Sequence, residues 1–433
     1  MRNLAGKRLL LLGGNMWAPT LLKISQEMGI ELLATGNKPN AQINDIAQEV
    51  FSVNSTDVAQ METLLNSNNI DGVYVGADEI VIVAACQYLT SQGYPTYYSI
   101  EKWNSLHDKR NFKRLCGEFG LPVVRDYDVF ELSRIEYPVI VKPVDGSGSR
   151  GMSLAHSADQ IQPAIDKALA ASASGQLLIE QYVNNDALVV FYTFRNGVPI
   201  FCGLQDKYPV FYEKHGTFLS GLHIFNSDKT SEFRRLFEPQ LFKLFSNLNI
   251  MNGNVWIEIF YDGKNYYFNE VGFRYFGSVS PFPINLYYGI NQIASDIYFA
   301  LTGEVAEQEY SPLIEVEHKK HYYCSYPIHL HPGTISHISG IDELLASGAA
   351  IVVPASKRVG DTISDTGTLS QFFGYVHFMF DTFAELKLAI GQIHQHLKVL
   401  DNNGENMVRR VMDVSRAKPR LNNYLQEANH EIS

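Results

Sequence analysis

Residues 137–154 restrict the fold more than any other stretch. They run Tyr137, Pro138-Val-Ile-Val-Lys142-Pro143, Asp145-Gly-Ser-Gly-Ser-Arg-Gly151 and Met152-Ser-Leu154. Gly146 to Gly151 spell GxGxxG, the spacing of a dinucleotide-binding turn, but such a turn needs a helix directly after its glycines. Met152–Ala155 reads instead as a strand, so that grip on a dinucleotide is excluded. No GxxxxGK[ST] occurs, which removes the Walker phosphate loop as well. What remains is strand, glycine-rich turn, strand. The small residues of such a hairpin let backbone N–H groups approach phosphate oxygens closely. Lys142, at the end of the first strand, can aim an ammonium at the same phosphates. An ordinary glycine-rich hairpin with a solvated lysine fits these residues too.

The hairpin lies inside a chain of 433 residues, long enough for two to three domains. The first hundred residues alternate strand and helix: Arg8–Leu12, a Gly13-Gly14-Asn15 turn, Ala18–Met28 stopped by Gly29, Ile30–Thr35, Gly72–Val75 and Ile80–Leu89. That order predicts a parallel sheet whose ligands bind at the strands' carboxyl ends, where Gly13-Gly14-Asn15 and Ala77-Asp78-Glu79 fall. One helix is predicted over Asn104–Gly120. A small α+β pattern then runs from Val139 to Gly203. A helix from Arg234, aromatic strands Val255–Tyr261 and Tyr266–Val271, and a helix Ile290–Thr302 follow. After about residue 305, short strands with glycine or proline turns precede one good helix, Phe383–Leu397. The pattern predicts boundaries near 100 and 305.

Charge and cysteine content narrow the function. Lys and Arg number 35 against 46 Asp and Glu, a net charge of −11. This argues against general affinity for nucleic acid or an anionic membrane. Cys86, Cys116, Cys202 and Cys324 are too scattered for a metal knuckle or a disulfide framework. No apolar run approaches the roughly 18–20 residues of a membrane span, and Leu9–Leu12 is too short for a signal-peptide core. A cytoplasmic protein is expected.

Two further segments carry chemistry. In Leu177-Leu-Ile-Glu180-Gln181-Tyr182-Val183 an apolar strand runs into a mixed segment whose backbone can pair with a purine edge; a plain strand with a charged end reads the same. From Asn254 to Arg274, two aromatic strands joined through Asp262-Gly263 carry Glu258 and Glu270. Two strand acids suit Mg²⁺, which takes oxygen ligands and shares its shell with phosphates; solvent-facing acids are the alternative. His329 and His331 share one side of a predicted strand without a third ligand. Lys109, Arg110, Lys113 and Arg114 fit a solvated helix face.

Taken together, strand-Lys-Pro, the glycine-rich loop, the Glu-x-Tyr-Val segment and the two strand carboxylates, in this order, resemble the ATP-grasp superfamily. The leader Leu106-His-Asp108-Lys109-Arg-Asn-Phe-Lys113, followed by Phe119-Gly120-Leu121-Pro122, resembles that family's entry into its ATP-binding fold. The resemblance implies an α/β and α+β architecture. Residues 1–100 would form a Rossmann-like pre-ATP-grasp domain and 101–304 the ATP-grasp domain, with a lid at about 124–190. Residues 305–433 would form a mainly-β C-terminal domain like that of the carboxylase and L-amino-acid-ligase branches. It implies that Lys109 and Lys142 hold ATP phosphates and that Gly146, Ser147, Gly148, Ser149 and Gly151 cover them. Gln181, Tyr182 and Val183 would read adenine with help from Glu180, and Asp186 would stand in for a ribose carboxylate, Ala187 occupying the usual place. Glu258 and Glu270 would hold Mg²⁺, with Mn²⁺ as a substitute. Arg274 would stabilise the transferring phosphoryl group, and Lys207 would reach the γ-phosphate.

One departure stands out. The family's Glu-x-Asn is here Glu270-Val271-Gly272, and Asn269 is expected on the opposite strand face. The implied activity is ADP-forming ligation of a small carboxylate, such as an amino acid, to an amine through an acyl phosphate, with a homodimer as an allowed assembly. A bicarbonate- or nucleotide-precursor-directed ligase and a degenerate ATP sensor are the alternatives.

Overall fold

The computed structural model describes residues 4–12, 18–36, 41–145, 150–183, 186–306 and 310–421. The Gly13-Gly14-Asn15 turn, Gly146–Ser149 and the C-terminal residues from 422 lie outside them.

The N-terminal unit comprises β1 (Arg8–Leu12), α1 (Ala18–Met28), β2 (Glu31–Thr35), β3 (Glu49–Phe51), α2 (Val58–Ser67), β4 (Gly72–Tyr74) and α3 (Glu79–Ser91). Its strands are parallel in the order β3-β2-β1-β4. The two central strands bury Leu9–Leu12 and Leu32–Thr35, as expected where helices cover a parallel sheet. Gly72 admits the rest of the molecule: a Cβ there would lie 2.5 Å from the Ala300 carbonyl oxygen.

The predicted Asn104–Gly120 helix is two helices, α4 (Ile100–His107) and α5 (Lys109–Glu118). Asp108 adopts an extended backbone and its side chain accepts from the Asn111 N–H at 2.8 Å, ending one helix and capping the next. Phe112 and Cys116 are fully buried on the inner side of α5.

A small antiparallel sheet follows, built from β5 (Asp126–Tyr127), β6 (Val139–Pro143), β7 (Ser153–Ala155) and β8 (Leu177–Gln181), in the order β5-β8-β6-β7. Helix α6 (Ile161–Ala171) buries Ile161, Ala164, Ile165 and Ala168 with Val139, Val141, Ala155 and Ile179. This sheet has its own core.

The largest sheet contains β9 (Asp186–Arg195), β10 (Val198–Tyr212), β11 (Thr217–Phe225), β12 (Gly253–Tyr261) and β13 (Tyr266–Gly272), with α7 (Thr230–Asn247) between β11 and β12. After α8 (Pro281–Tyr288) and α9 (Gln292–Thr302), the chain returns to the same sheet. Strands β14 (Tyr322–Leu330), β17 (Phe372–Phe380) and β19 (Val408–Arg409) extend it, giving β13-β12-β9-β10-β11-β14-β17 with β19 on β14. The sheet therefore runs across residue 305 without a break. Between those strands lie β15 (Gly333–Ser339), α10 (Ile341–Ala346), β16 (Thr362–Ile363), α11 (Phe383–His396) and β18 (Lys398–Asp401). Among the described residues, no helix is long and apolar enough to cross a membrane.

Candidate active site

A cavity of about 230 Å³ opens between the small sheet and the large one. The small sheet supplies Ile140, Lys142, Pro143 and Glu180–Val183. The large sheet supplies Ala187, Lys207, Trp256, Glu258, Phe260, Asn269 and Glu270, and the segment after β13 supplies Arg274, Phe276 and Ser278. Glu79, His107 and Lys109 close one side, and Leu369 and Tyr375 reach in from the C-terminal third.

Strand alternation explains most of this convergence. Glu258 and Glu270 face each other as register partners on β12 and β13. Asn269 breaks the alternation. The register steps from Glu258–Glu270 to Ile259–Phe268, so Asn269 is the extra residue of a β-bulge. A bulge turns two neighbouring side chains toward one face, and the expectation that Asn269 points away is therefore corrected. Its Oδ1 accepts from Lys142 Nζ at 3.0 Å and its Nδ2 donates to Glu258 Oε1 at 2.9 Å. Gly272 cannot carry the family's asparagine, because the Trp256 indole lies 2.2 Å from where its Cβ would stand.

Each cation on the floor meets an acid. Lys207 donates to Glu258, Lys109 lies 3.5 Å from Glu270, and Lys142 lies 2.7 Å from Glu180. Arg274 donates from Nε to Glu79 Oε1 at 3.0 Å and from Nη1 to the Tyr275 carbonyl at 2.6 Å. Burial alone would raise the Glu180 carboxyl, but Lys142 and Lys113 bring it down to about 2. Glu270 is held below its usual range by Lys109, Lys207 and Lys142 against its burial, and Glu79 by Arg274 and His107 against its own. Burial pulls Lys142 and Lys207 down, and their acidic neighbours more than restore them. Burial holds His107 below the ordinary histidine range despite Glu79 beside it. Glu180, Glu270 and Glu79 are thus ionised, and Lys142 and Lys207 charged, near neutral pH.

Several expected roles change. Glu180 pairs with two lysines, since Lys113 also lies 2.6 Å from it. Lys109 and Lys113 are buried, so they are not part of a solvated helix face. The amides of Gln181 and Tyr182 already donate to the Arg125 and Pro138 carbonyls. Asp186 does not line the cavity; Arg416 holds its carboxylate at 2.6 Å, while Ala187 faces in. Gly151 packs on Ala171 and Pro143 instead of facing the cavity. His329 is buried between Tyr212 OH and the Ser220 carbonyl, each 2.7 Å away, so it is a packed histidine. Glu79, His107 and Asn269 were not assigned to the site from sequence. Only Glu79 carried a signal, its place after β4 at the carboxyl edge of the parallel sheet.

The family description "Carbamoyl-phosphate synthase L chain, ATP binding domain" matches residues 108–189, which include Lys109, Lys142 and Glu180–Val183. The L-amino acid ligase from Bacillus licheniformis superposes with a TM-score of 0.71 at 18% identity, over 92% of this chain and 100% of that one. The biotin carboxylase domain of Hydrogenobacter thermophilus 2-oxoglutarate carboxylase gives 0.71 at 17% identity, over 93% and 91%. The chain has the ATP-grasp fold. Among curated proteins, the formate-dependent phosphoribosylglycinamide formyltransferase of Synechococcus sp. (strain CC9311) is 26% identical over 208 residues, 45% of this chain and 53% of that protein. That of Azotobacter vinelandii is 26% identical over 206 residues, 45% and 52%. The chain spans about half the length of the curated relatives it matches.

The donor set also fits a divalent cation. Among the described residues no three His, Cys, Asp or Glu side chains cluster as metal ligands. Glu258 and Glu270 nevertheless face one another with the Asn269 amide beside them. Two carboxylates, with the rest of the shell left to phosphates and water, is the usual Mg²⁺ arrangement.

Proposed function

We propose that the protein is an ADP-forming ligase that joins a small carboxylate to an amine through an acyl phosphate. One observation carries this reading: Lys142, Lys207 and Arg274 share a single cavity with the facing pair Glu258 and Glu270. ATP would enter with its adenine against Ile140 and the Gln181–Val183 segment, which can offer carbonyls and the Val183 amide. Its phosphates would take Lys109, Lys142 and Lys207, and Glu258, Glu270 and Asn269 would hold Mg²⁺. A bound Mg²⁺ would supply positive charge against the terminal phosphates. The lysines would exchange carboxylate for phosphate, and Glu258 and Glu270 would exchange ammonium for metal ion, so each keeps a partner of opposite charge. Residues 124–190, with the glycine-rich segment 146–151, would act as the lid.

A carboxylate approaching a triphosphate is repelled; two unit charges at about 4 Å cost on the order of 4 kcal/mol at an effective dielectric of 20. Arg274 and Lys207 offset that repulsion and align the carboxylate oxygen with the γ-phosphorus. Attack breaks the bond between the γ-phosphorus and its bridging oxygen, giving the acyl phosphate and ADP. The amine then attacks the acyl carbon, phosphate leaves, and one proton is released as the amide forms. Lid closure would keep water from the acyl phosphate.

The names of the curated relatives favour a second reading, in which the amine is a nucleotide precursor. One assay addresses both: ADP release from pooled carboxylates crossed with pooled amines, with hydroxylamine intercepting the acyl phosphate as a hydroxamate. Glu270→Gln should depress ADP, phosphate and amide together. Steady release of AMP and pyrophosphate, or ADP formation that is indifferent to any acid, would remove the ligase reading.

A further inference from the structure

The same cavity is also lined by apolar and aromatic side chains, among them Leu219, Trp256, Phe276, Leu369 and Tyr375. Trp256 and Phe276 meet edge to face, 4.8 Å between ring centres. Two cations lie against these rings: the Arg274 guanidinium 5.1 Å from Trp256 and Lys207 Nζ 5.8 Å from Phe276. A carboxylate gripped between Arg274 and Lys207 therefore has its substituent delivered onto aromatic and aliphatic surface.

The charges on the cavity lining are already matched. Lys109, Lys142, Lys207 and Arg274 face Glu270, Glu180, Glu258 and Glu79 respectively. The remaining charged lysine or arginine on the described lining, Arg150, belongs to the glycine-rich segment at the small sheet. The C-terminal side of the lining adds none: residues 369–380 read LSQFFGYVHFMF, without a lysine or arginine. Burial holds His377 in that strand down at about 3, so it is uncharged. Among the described residues, a second phosphate on the acid would thus meet Leu369 and Tyr375 with no charge-assisted donor.

We infer that the acceptor end of this cavity selects an unphosphorylated carboxylic acid with an apolar side chain. The inference rests on the ligase reading and concerns the acid alone, not the amine. Apolar burial favours such an acid, while a buried group without partners is penalised by more than a missing contact costs.

The test compares hydroxamate formation from leucine, phenylalanine, isovalerate and phenylacetate with that from glutamate and phosphoserine, at saturating MgATP. The apolar acids should exceed the charged ones in kcat/KM by tenfold or more. Leu369 is 46% exposed, so Leu369→Arg should fold normally. It should narrow that ratio at least tenfold through the KM of the acid while the KM of ATP stays within twofold. Preference for phosphoserine or glutamate in the wild-type chain, or an unchanged ratio in Leu369→Arg, overturns the inference. If no acid yields hydroxamate, calorimetry with a non-hydrolysable ATP analogue and Mg²⁺ separates the two ideas. Binding of the apolar acids alone keeps the pocket assignment and rejects ligation. Absence of that binding, or tighter phosphoserine, rejects the pocket assignment itself.

Discussion

Lys142 shows how far a single residue can be read from sequence. Its place at the end of a strand before a glycine-rich turn marked it as a phosphate ligand, and it faces the cavity. Its partners were not legible, because Glu180 lies 38 positions later and Asn269 on another sheet. Lys142→Met keeps the side-chain stem and removes the charge. Nucleotide affinity should fall by roughly 1.5–3 kcal/mol, about 10–150-fold, the worth of a charge-assisted contact; isothermal calorimetry with MgATP measures it, and unchanged affinity would refute the role. The same substitution should alter acid stability. Glu180 is depressed to about 2 from an ordinary 4.5, so it contributes stability that is present above pH 4.5 and lost as pH falls toward 2. That contribution is on the order of 3 kcal/mol. With Lys142 gone, Lys113 alone holds the carboxylate. Unfolding by urea between pH 5 and pH 3 should show a smaller loss than in the wild-type chain, from a lower starting stability.

At the scale of elements, regular periodicity was legible and its interruptions were not. Helices α1 and α11 and the aromatic strands β12 and β13 start and stop within about two residues of their sequence expectations. Two of the errors fall at single-residue breaks. The apolar spacing of Phe112, Leu115, Cys116 and Phe119 continued plausibly back to Asn104, which concealed the stop at Asp108. Strand alternation placed Asn269 outside, because nothing in the residue types of 266–272 announces a bulge. Continuation of the large sheet into β14 and β17 was equally hidden, since pairing partners roughly fifty to a hundred residues apart leave no local pattern. The break at Asp108 has a measurable consequence. Asp108→Ala removes the cap accepted from Asn111 and should destabilise α5 by about 1 kcal/mol. Because α5 begins with Lys109, hydrogen exchange in residues 109–113 should accelerate and the KM of ATP should rise. Slower or unchanged exchange there would mean that tertiary packing alone fixes the helix start.

The whole molecule is tied together behind the cavity by one buried carboxyl group. Asp296 on α9 accepts from Tyr97 OH at 2.6 Å and from Tyr275 OH, with Asn254 Nδ2 at 3.3 Å. Tyr97 follows the N-terminal sheet, Asn254 opens β12, and Tyr275 adjoins Arg274, so the group joins three regions that together shape the site. Burial raises its pKa from 3.8 to about 7, and the hydrogen bonds from Tyr275, Tyr97 and Asn254 only partly counter that. The direction for stability follows from proton counts. Between about pH 4 and pH 7 the folded chain keeps the proton and the unfolded chain has lost it, so stability declines as pH rises through this window. Three pKa units correspond to on the order of 4 kcal/mol. Asp296→Asn removes the titration while leaving an oxygen to accept from the tyrosines. Urea unfolding of the wild-type chain should therefore lose stability from pH 4.5 to 7.5 relative to the variant. The difference should level off above pH 7.5, where both forms of the wild-type chain are ionised. A difference that stays flat, or that grows toward low pH in favour of the variant, would show that Asp296 is ionised throughout and that the tyrosine hydrogen bonds outweigh its burial.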